Sequence, residues 1–418
     1  MPNLGEIKKA RKIMAFGNSM WPVLQEGDVV YLEKAKFDGI KVNDIVCFTN
    51  KSNLVTHRVV YKKGNYIIAK GDNNPTSDGK IKKDRILGVV YAFKREGRKF
   101  NIEDMYLFQS SIYLKEIKKV VRLLASETID YVFLKGLPLH LWLEDKNPRR
   151  IFSDCDILIS KKQEKKVKLL LENFGYKKID VSLSQKHRSF RKEMVEESLV
   201  KFVSGYPIIL DIHFNAAFLM TQLGTLNNLY PKKLLDEFSK SLLNNKRVVK
   251  YEGDGFNLLS LEDQVIYLFL HLFHHNFRGG HRYDILVRIL KTNFDRNRFF
   301  ATIKRYKLSN YVYSVLILLQ KHYPNSEYNN LIEGLTVSKI VNKYVNKTIS
   351  PTKIYDEEER LEGGVKRFIL LFNLSPEPLL RRLLIVFNYQ VFYSVYWVFV
   401  MRIRQEIMSL RFFLKNIT

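Results

Sequence analysis

The chain has 418 residues, of which 46% are hydrophobic and 27% charged. That length exceeds what one hydrophobic core supports, and the composition argues against wholesale disorder. Its 69 Lys and Arg against 43 Asp and Glu give a formal net charge of +26, which favours acidic partners such as anionic lipid, nucleic acid, nucleotide phosphates or acidic peptides without choosing among them. A Lys-rich amino-acid usage would give the same charge with no acidic partner at all. The two cysteines, Cys47 and Cys155, lie in apolar strand-like runs and support neither a disulfide framework nor a metal knuckle.

The opening MPNLGEIKKARKIMAFGNSM holds no apolar run long enough for a secretory signal or membrane anchor, so the chain is expected to start in the cytoplasm. Residues 12–94 then read as short alternating runs broken by Gly, Asp and Asn, among them VVYLEKA, DIVCFT, LVTHRVVY, NYIIAKGD and ILGVVYAF. Such spacing predicts an all-β unit. Within it, GNSMWP puts Ser19 in a turn, THRVVY puts His57 at the head of a strand, and KGDNNPTSDG supplies Asp72 and Asp78 in a loop. A serine hydroxyl becomes a useful nucleophile when a base takes its proton, and an imidazole near its ordinary pKa does this at neutral pH. A carboxylate would hold the imidazole's tautomer and stabilise the cation that forms. Read from the residues alone, a turn serine and a surface histidine remain the alternative.

The order SMWP, GD, HRVV, KGDNN followed by a further Asp, and ILGVV resembles signal peptidase I, in the branch that uses histidine where the bacterial form uses lysine. The similarity spans residues ~12–92. It implies Ser19 as nucleophile, His57 as general base, Asp78 as the orienting carboxylate and Asp72 as an alternative or supporting acid, with a peptide or protein substrate and no cofactor.

After FKREGRKFNIED the pattern turns helical from Ile102 to about Ser126, which places a boundary near residue 100. YVFLKG, FSDCDILIS and YPIILDIHF read as strands, and KKQEKKVKLLLENFGY as a helix closed by Gly175. Strand alternation puts Asp154 and Asp156 on one face and Cys155, Ile157 and Ile159 on the other; likewise Ile209, Asp211 and His213 share a face. If those strands pair, three carboxylates meet. Such a cluster is costly without cations, and Mg2+ bridging it to nucleotide phosphates would relieve the repulsion. Lys135 and Gly136 stand in a turn upstream, suited to admitting and neutralising phosphate. The bland alternative makes Asp154 and Asp156 solvent-facing strand residues.

Lys135-Gly136, Arg150, Asp154, Asp156, Asp211 and His213 in that order resemble the uncharacterised nucleotidyltransferase family of the polymerase-β superfamily, over residues ~103–300. The resemblance implies that Lys135, Gly136 and Arg150 contact a nucleotide, and that Asp154, Asp156 and Asp211 hold Mg2+ with a nucleoside triphosphate as substrate. His271 and His275, one turn apart on a helix, lack the carboxylate or thiol partners of a zinc site.

Beyond residue 230 the chain reads as nearly all helical, with Ser260 and Asp263 forming a capping box before an apolar helix. KTISPTKIYDEEERLEGG reads as a surface loop. Residues 383–401, uncharged and aromatic between paired arginines, read as a buried or interfacial amphipathic helix rather than a span, and as a point of membrane association.

The expected architecture is multidomain α+β: a signal-peptidase-like all-β core over residues 1–100, a mixed α/β nucleotidyltransferase-like domain over 101–300, and a helical C-terminal region over 301–418. The expected function is a serine endopeptidase, for signal or leader peptides, fused to a metal-dependent nucleotidyltransferase. Two alternatives stand beside it. One is a proteolytically inactive peptide-binding module guiding the nucleotidyltransferase; the other is a basic nucleic-acid or membrane scaffold with both sites decayed.

Overall fold

A computed structural model describes residues 12–50, 53–74, 76–144, 152, 154–179, 196–216, 226–349, 354–355, 360–388, 391 and 396. It is a mixed α+β structure built on two sheets. The first holds β1 (Lys12–Met14), β2 (Val29–Glu33), β3 (Ile45–Asn50), β4 (Asn53–Lys63), β5 (Tyr66–Lys70), β6 (Ser77–Lys82), β7 (Ile86–Arg95) and β8 (Arg98–Asn101), ordered β1-β2-β7-β3-β4-β5-β6 with β8 on β7.

Two small cores flank this sheet, and strand alternation feeds both. In β3, Ile45 and Cys47 join Met20, Val23, Leu24 and Val30, while Val46 and Phe48 join Val59, Ile67, Ala69 and Ile81. A strand buried on both faces reads as a continuous apolar run, which is the IVCF of β3. Two local expectations are corrected here. His57 lies in the middle of β4, opposite Val46, because the hairpin with β3 carries the strand back to Asn53. Asp78 lies within β6 rather than in a loop, since β5 recruits Ser77 to Lys82 as its partner.

Helix α1 (Ile102–Ser126) follows β8 directly and matches the helical stretch read from the sequence. Its Asn101 makes no side-chain capping bond, so packing must hold it. Tyr113, Ile117, Val120 and Leu124 form its buried stripe, spaced for one helical face. Full burial of such side chains contributes about 1.5–3 kcal/mol each, more than a single missing cap of about 1 kcal/mol.

The second sheet comprises β9 (Tyr131–Phe133), β10 (Cys155–Ile159), β11 (Lys177–Lys178), β12 (Glu196–Val203), β13 (Tyr206–His213), β14 (Arg247–Tyr251) and β15 (Asp254–Leu258), ordered β11-β12-β13-β10-β9-β15-β14. β10 lies at its centre, parallel to β13 and antiparallel to β9. Cys155, Ile157, Ile159, Leu210 and Ile212 face α1; Val132, Leu134 and Leu158 face a helical core on the other side.

The remaining helices are α2 (Leu137–Glu144), α3 (Glu164–Asn173), α4 (Lys232–Asn244), α5 (Leu261–His274), α6 (Gly280–Leu290), α7 (Arg296–Arg305), α8 (Ser309–His322), α9 (Ser326–Glu333), α10 (Lys339–Thr348), α11 (Arg360–Leu374) and α12 (Leu379–Leu383). α5 is buried around its whole circumference, as a helix apolar on every side must be. The capping expectation holds at its start, where Ser260 Oγ accepts from the Asp263 amide at 3.2 Å. Among the described residues no helix is long and apolar enough to cross a membrane. Of the 383–401 segment, the described part is the end of α12, a 3-10 turn over Leu384–Phe387, Asn388, Val391 and Tyr396; the rest lies outside the described residues.

Candidate active sites

The first site forms where the turn after β1 meets β4 and β6. Buried Met20, Val23 and Leu24 anchor that turn in the core, and the Leu24 amide donates to the Met20 carbonyl at 3.0 Å. From the other side, the Asn73 amide donates to the Ser19 carbonyl at 2.8 Å and its side chain to the Asn18 carbonyl at 3.2 Å. This approach needs glycine at 71, where a Cβ would stand 2.7 Å from the Ser19 carbonyl oxygen. Ser19 is thereby held with its Oγ 3.0 Å from His57 Nε2, while His57 Nδ1 lies 2.7 Å from Asp78 Oδ2. An ionised carboxylate only accepts, so Nδ1–H donates to Asp78 and the Nε2 lone pair is left for the Ser19 hydroxyl. His57 is 6% exposed and edge-on to the Phe48 ring, which restricts its rotation.

Asp72, the supporting acid of the sequence reading, sits apart from His57. Arg58 grips it, with Nε donating to Oδ1 at 2.6 Å and Nη2 to Oδ2. The same guanidinium donates to the Asn43 carbonyl at 3.0 Å and to the Tyr106 hydroxyl, and lies over the Tyr106 ring. Asp72 therefore neutralises a partly buried cation. Neighbouring residues on β4 point to opposite faces, which separates Arg58 and Asp72 from the His57 cluster.

The second site forms at the ends of β10 and β13. Asp156 stands opposite Asp211 in the parallel ladder, and ligand atoms of Asp154, Asp156 and Asp211 all lie within 4.8 Å of one another. Lys135 Nζ lies 2.6 Å from Asp156 Oδ2 and 3.2 Å from Asp154 Oδ2. His213 Nε2 lies 3.0 Å from Asp156 Oδ1. The Lys135-Gly136 turn closes tightly over β10: Gly136 has φ +96° and a Cβ there would lie 3.3 Å from Cys155 Cα. Arg150 lies outside the described residues.

These charges are unequally satisfied. Burial alone would raise the Asp156 carboxyl, but Lys135 and His213 outweigh it and hold it at about 2. Burial opposes a charge on His213, yet its hydrogen bond to Asp156 and the charges of Asp156, Glu196 and Asp211 together outweigh this and keep the imidazole above its ordinary range. Asp211 is different: burial, then the charge of Asp156, pushes its carboxyl up to about 6. Its Oδ1 is buried with no hydrogen-bond partner among the described residues. An orphaned carboxylate oxygen beside two further carboxylates is a donor set of hard oxygens suited to Mg2+ or Mn2+, so these residues fit a divalent cation.

The pH dependence follows from the raised Asp211. Between about pH 4 and pH 6 the folded chain holds a proton on Asp211 that the unfolded chain has released, so stability falls as pH rises through that window. At neutral pH and without divalent cation, Asp211→Asn is expected to be more stable than wild type by about 2 kcal/mol, with the gain fading below pH 4. Thermal melts in chelator from pH 4 to 8 check this; a variant less stable than wild type at pH 7 contradicts it.

Several contributors carry little sequence signal. His213 touches Asp156, a contact that its place in the motif does not reveal. Arg58 is the residue after His57 and reads as an ordinary strand cation. Tyr267 lies inside the apolar run of α5, where burial first, then the charges of Asp156, Glu196, Asp154 and Asp211, hold its phenol well above the ordinary range. Gln109 and Tyr113 of α1 hydrogen-bond beside the carboxylate strands and look in sequence like spacing within a helix.

Sheet, carboxylates and lysine together define a nucleotidyltransferase-like domain downstream of the first sheet. The chain belongs to the uncharacterised nucleotidyltransferase family, whose model matches residues 101–324. Among solved structures, that of an antigenic nucleotidyltransferase-like protein from Paracoccidioides brasiliensis is similar at 13% identity and a TM-score of 0.35, covering 56% of this chain and 97% of that one. No curated protein matches the chain.

Proposed function

We propose that the region following residue 100 transfers a nucleotidyl group from a nucleoside triphosphate, and that the preceding ~100 residues form a serine peptidase of the signal peptidase I type. For the transferase, the observation that carries the reading is three carboxylates converging from two paired strands beside a lysine, with Asp211 Oδ1 buried and without a hydrogen-bond partner among the described residues. In such a transfer an acceptor hydroxyl bonds to the α-phosphorus as the bond to the bridging oxygen breaks and pyrophosphate leaves. The protein's share is therefore placement of charge rather than covalent chemistry. Asp154, Asp156 and Asp211 would hold a magnesium ion, whose positive charge would offset the negative charge that develops on the phosphates. Lys135, now neutralising Asp154 and Asp156, becomes free to meet phosphate oxygens once a cation takes over that task. His213 keeps Asp156 oriented. The test is transfer of α-phosphate label to a protein hydroxyl, an RNA end or a small molecule, compared between wild type and carboxylate variants.

For the peptidase the carrying observation is the chain of contacts Ser19–His57–Asp78 at 3.0 and 2.7 Å. Ser19 Oγ would attack a peptide carbonyl while His57 Nε2 takes its proton and later returns it to the leaving amine; Asp78 holds the imidazole and steadies its cation. The partly covered arrangement suits a peptide or protein substrate laid along a strand edge. Asp72 and Asp78 should separate cleanly on substitution. Asp78→Asn is expected to lower turnover about 10^4-fold with little change in melting, whereas Asp72→Asn leaves Arg58 poorly paired and costs about 1–2 kcal/mol of stability while sparing most turnover at low temperature. Equal losses of turnover in the two folded variants would contradict this division.

A third element of the proposal is a cytoplasmic chain with an affinity for anionic membrane surface. Its support is the stretch Leu379–Phe387, where Leu380 and Phe387 are 81% and 80% exposed next to Arg381 and Arg382.

A further inference from the structure

We infer that Gln109 and Tyr113, two buried polar residues of α1, are positioning residues that set the spacing of the Asp154, Asp156 and Asp211 carboxylates; this rests on the metal reading proposed above. α1 packs on the face of the second sheet opposite to the carboxylates, where shape-filling apolar side chains would suffice. Gln109 is nonetheless 3% and Tyr113 0% exposed, and an amide or phenol buried without a partner is costly. Both are satisfied at one kind of place. Gln109 Nε2 donates to the Phe152 carbonyl at 3.1 Å, and the Phe152 amide donates to Gln109 Oε1 at 3.2 Å. Tyr113 Oη donates to the Ile209 carbonyl at 2.8 Å.

Each clamp falls two residues before a carboxylate: Phe152 before Asp154, Ile209 before Asp211. The ladder between β10 and β13 begins only at Cys155 and Leu210, so Asp154 precedes the part of the chain that the sheet itself holds. Gln109 supplies there the two hydrogen bonds that a neighbouring strand would have made. The clamps also touch each other, since the Phe152 and Tyr113 rings lie 5.8 Å apart. One turn of one helix thus holds the approach to both carboxylate strands. Burial above all keeps the Tyr113 phenol well above its ordinary pKa and so a donor.

Groups that orient metal ligands typically change metal affinity about 10- to 100-fold when removed. The experiment is a titration of the full chain with Mn2+ alone, followed by electron paramagnetic resonance. Tyr113→Phe and Gln109→Leu keep the shapes and lose the bonds; each is expected to weaken Mn2+ binding at least about 10-fold and to broaden the bound-ion spectrum. Tyr106→Phe, on the same helix, removes the hydroxyl that Arg58 reaches and is expected to leave Mn2+ affinity within about twofold of wild type, since it touches neither strand. Binding by Tyr113→Phe and Gln109→Leu at wild-type strength overturns the inference, as does an equal weakening in Tyr106→Phe, which would mark generic loosening of α1. A wild type that takes up no Mn2+ overturns the metal reading itself, a result distinguishable from either.

Discussion

Asp156→Asn is expected to abolish transfer of α-phosphate label from nucleoside triphosphates, lowering it by at least about 10^3-fold, because a metal-held phosphate is worth several kcal/mol in the transition state. The substitution keeps the shape of a side chain that is 3% exposed and removes the charge on which Lys135 and His213 converge. Asp154→Asn should act in the same direction. It is half-buried where Asp156 is buried, so its loss should disturb folding less. Stability separates the trio further: Asp156 is well compensated in the absence of metal, and replacing it costs stability, whereas replacing Asp211 gains it. A rate loss at Asp156 accompanied by unchanged Mn2+ binding would detach the chemistry from the cation.

Ser19→Ala is expected to lower peptide hydrolysis by about 10^3- to 10^4-fold while melting within about 1 kcal/mol of wild type. The hydroxyl contributes a single hydrogen bond to His57, and the turn that carries it is held by Met20, Leu24 and Asn73 instead. His57→Ala should match it, since a base without its nucleophile and a nucleophile without its base fail together. Mass spectrometry of peptide mixtures incubated with wild type and Ser19→Ala reads the outcome; identical cleavage by both ends the proteolytic proposal. Label transfer should be untouched in Ser19→Ala, because among the described residues the Ser19 turn shares no hydrogen bond or ion pair with the carboxylate trio.

Much of this was legible in residues because period and chemistry coincided. Alternation alone placed Asp154 with Asp156 and Asp211 with His213, and the parallel register of β10 on β13 then brought them together. The helical run from Ile102 and the capping serine at Ser260 both appear in the structure. At the first sheet the motif order points to Ser19, His57 and Asp78, but it leaves Asp72 as an alternative or supporting acid where the structure pairs it with Arg58. That difference depends on Arg58, whose choice of partner is set by strand alternation and by Tyr106, forty-eight residues further along the chain.

Other parts were opaque for physical reasons. The hairpin from Arg247 to Leu258 shows alternation, but its function as the sheet's far edge exists only through β9. Gln109 and Tyr113 matter through backbone groups they meet across 43 and 96 positions, and nothing local marks a glutamine as bonded to a distant main chain. Arg150, expected to contact a nucleotide, lies outside the described residues, and its role stays a proposal of the sequence.

The central claim is that the three carboxylates accept a divalent cation in place of the Lys135 ion pairs. Anomalous diffraction from crystals of the full chain grown with Mn2+ and a non-hydrolysable nucleoside triphosphate tests it most directly. Manganese peaks are expected at coordination distance from Asp154, Asp156 and Asp211 oxygens, with Lys135 Nζ withdrawn from Asp156 and turned to phosphate. Lys135 still paired to Asp156, with no manganese at the trio, would contradict it.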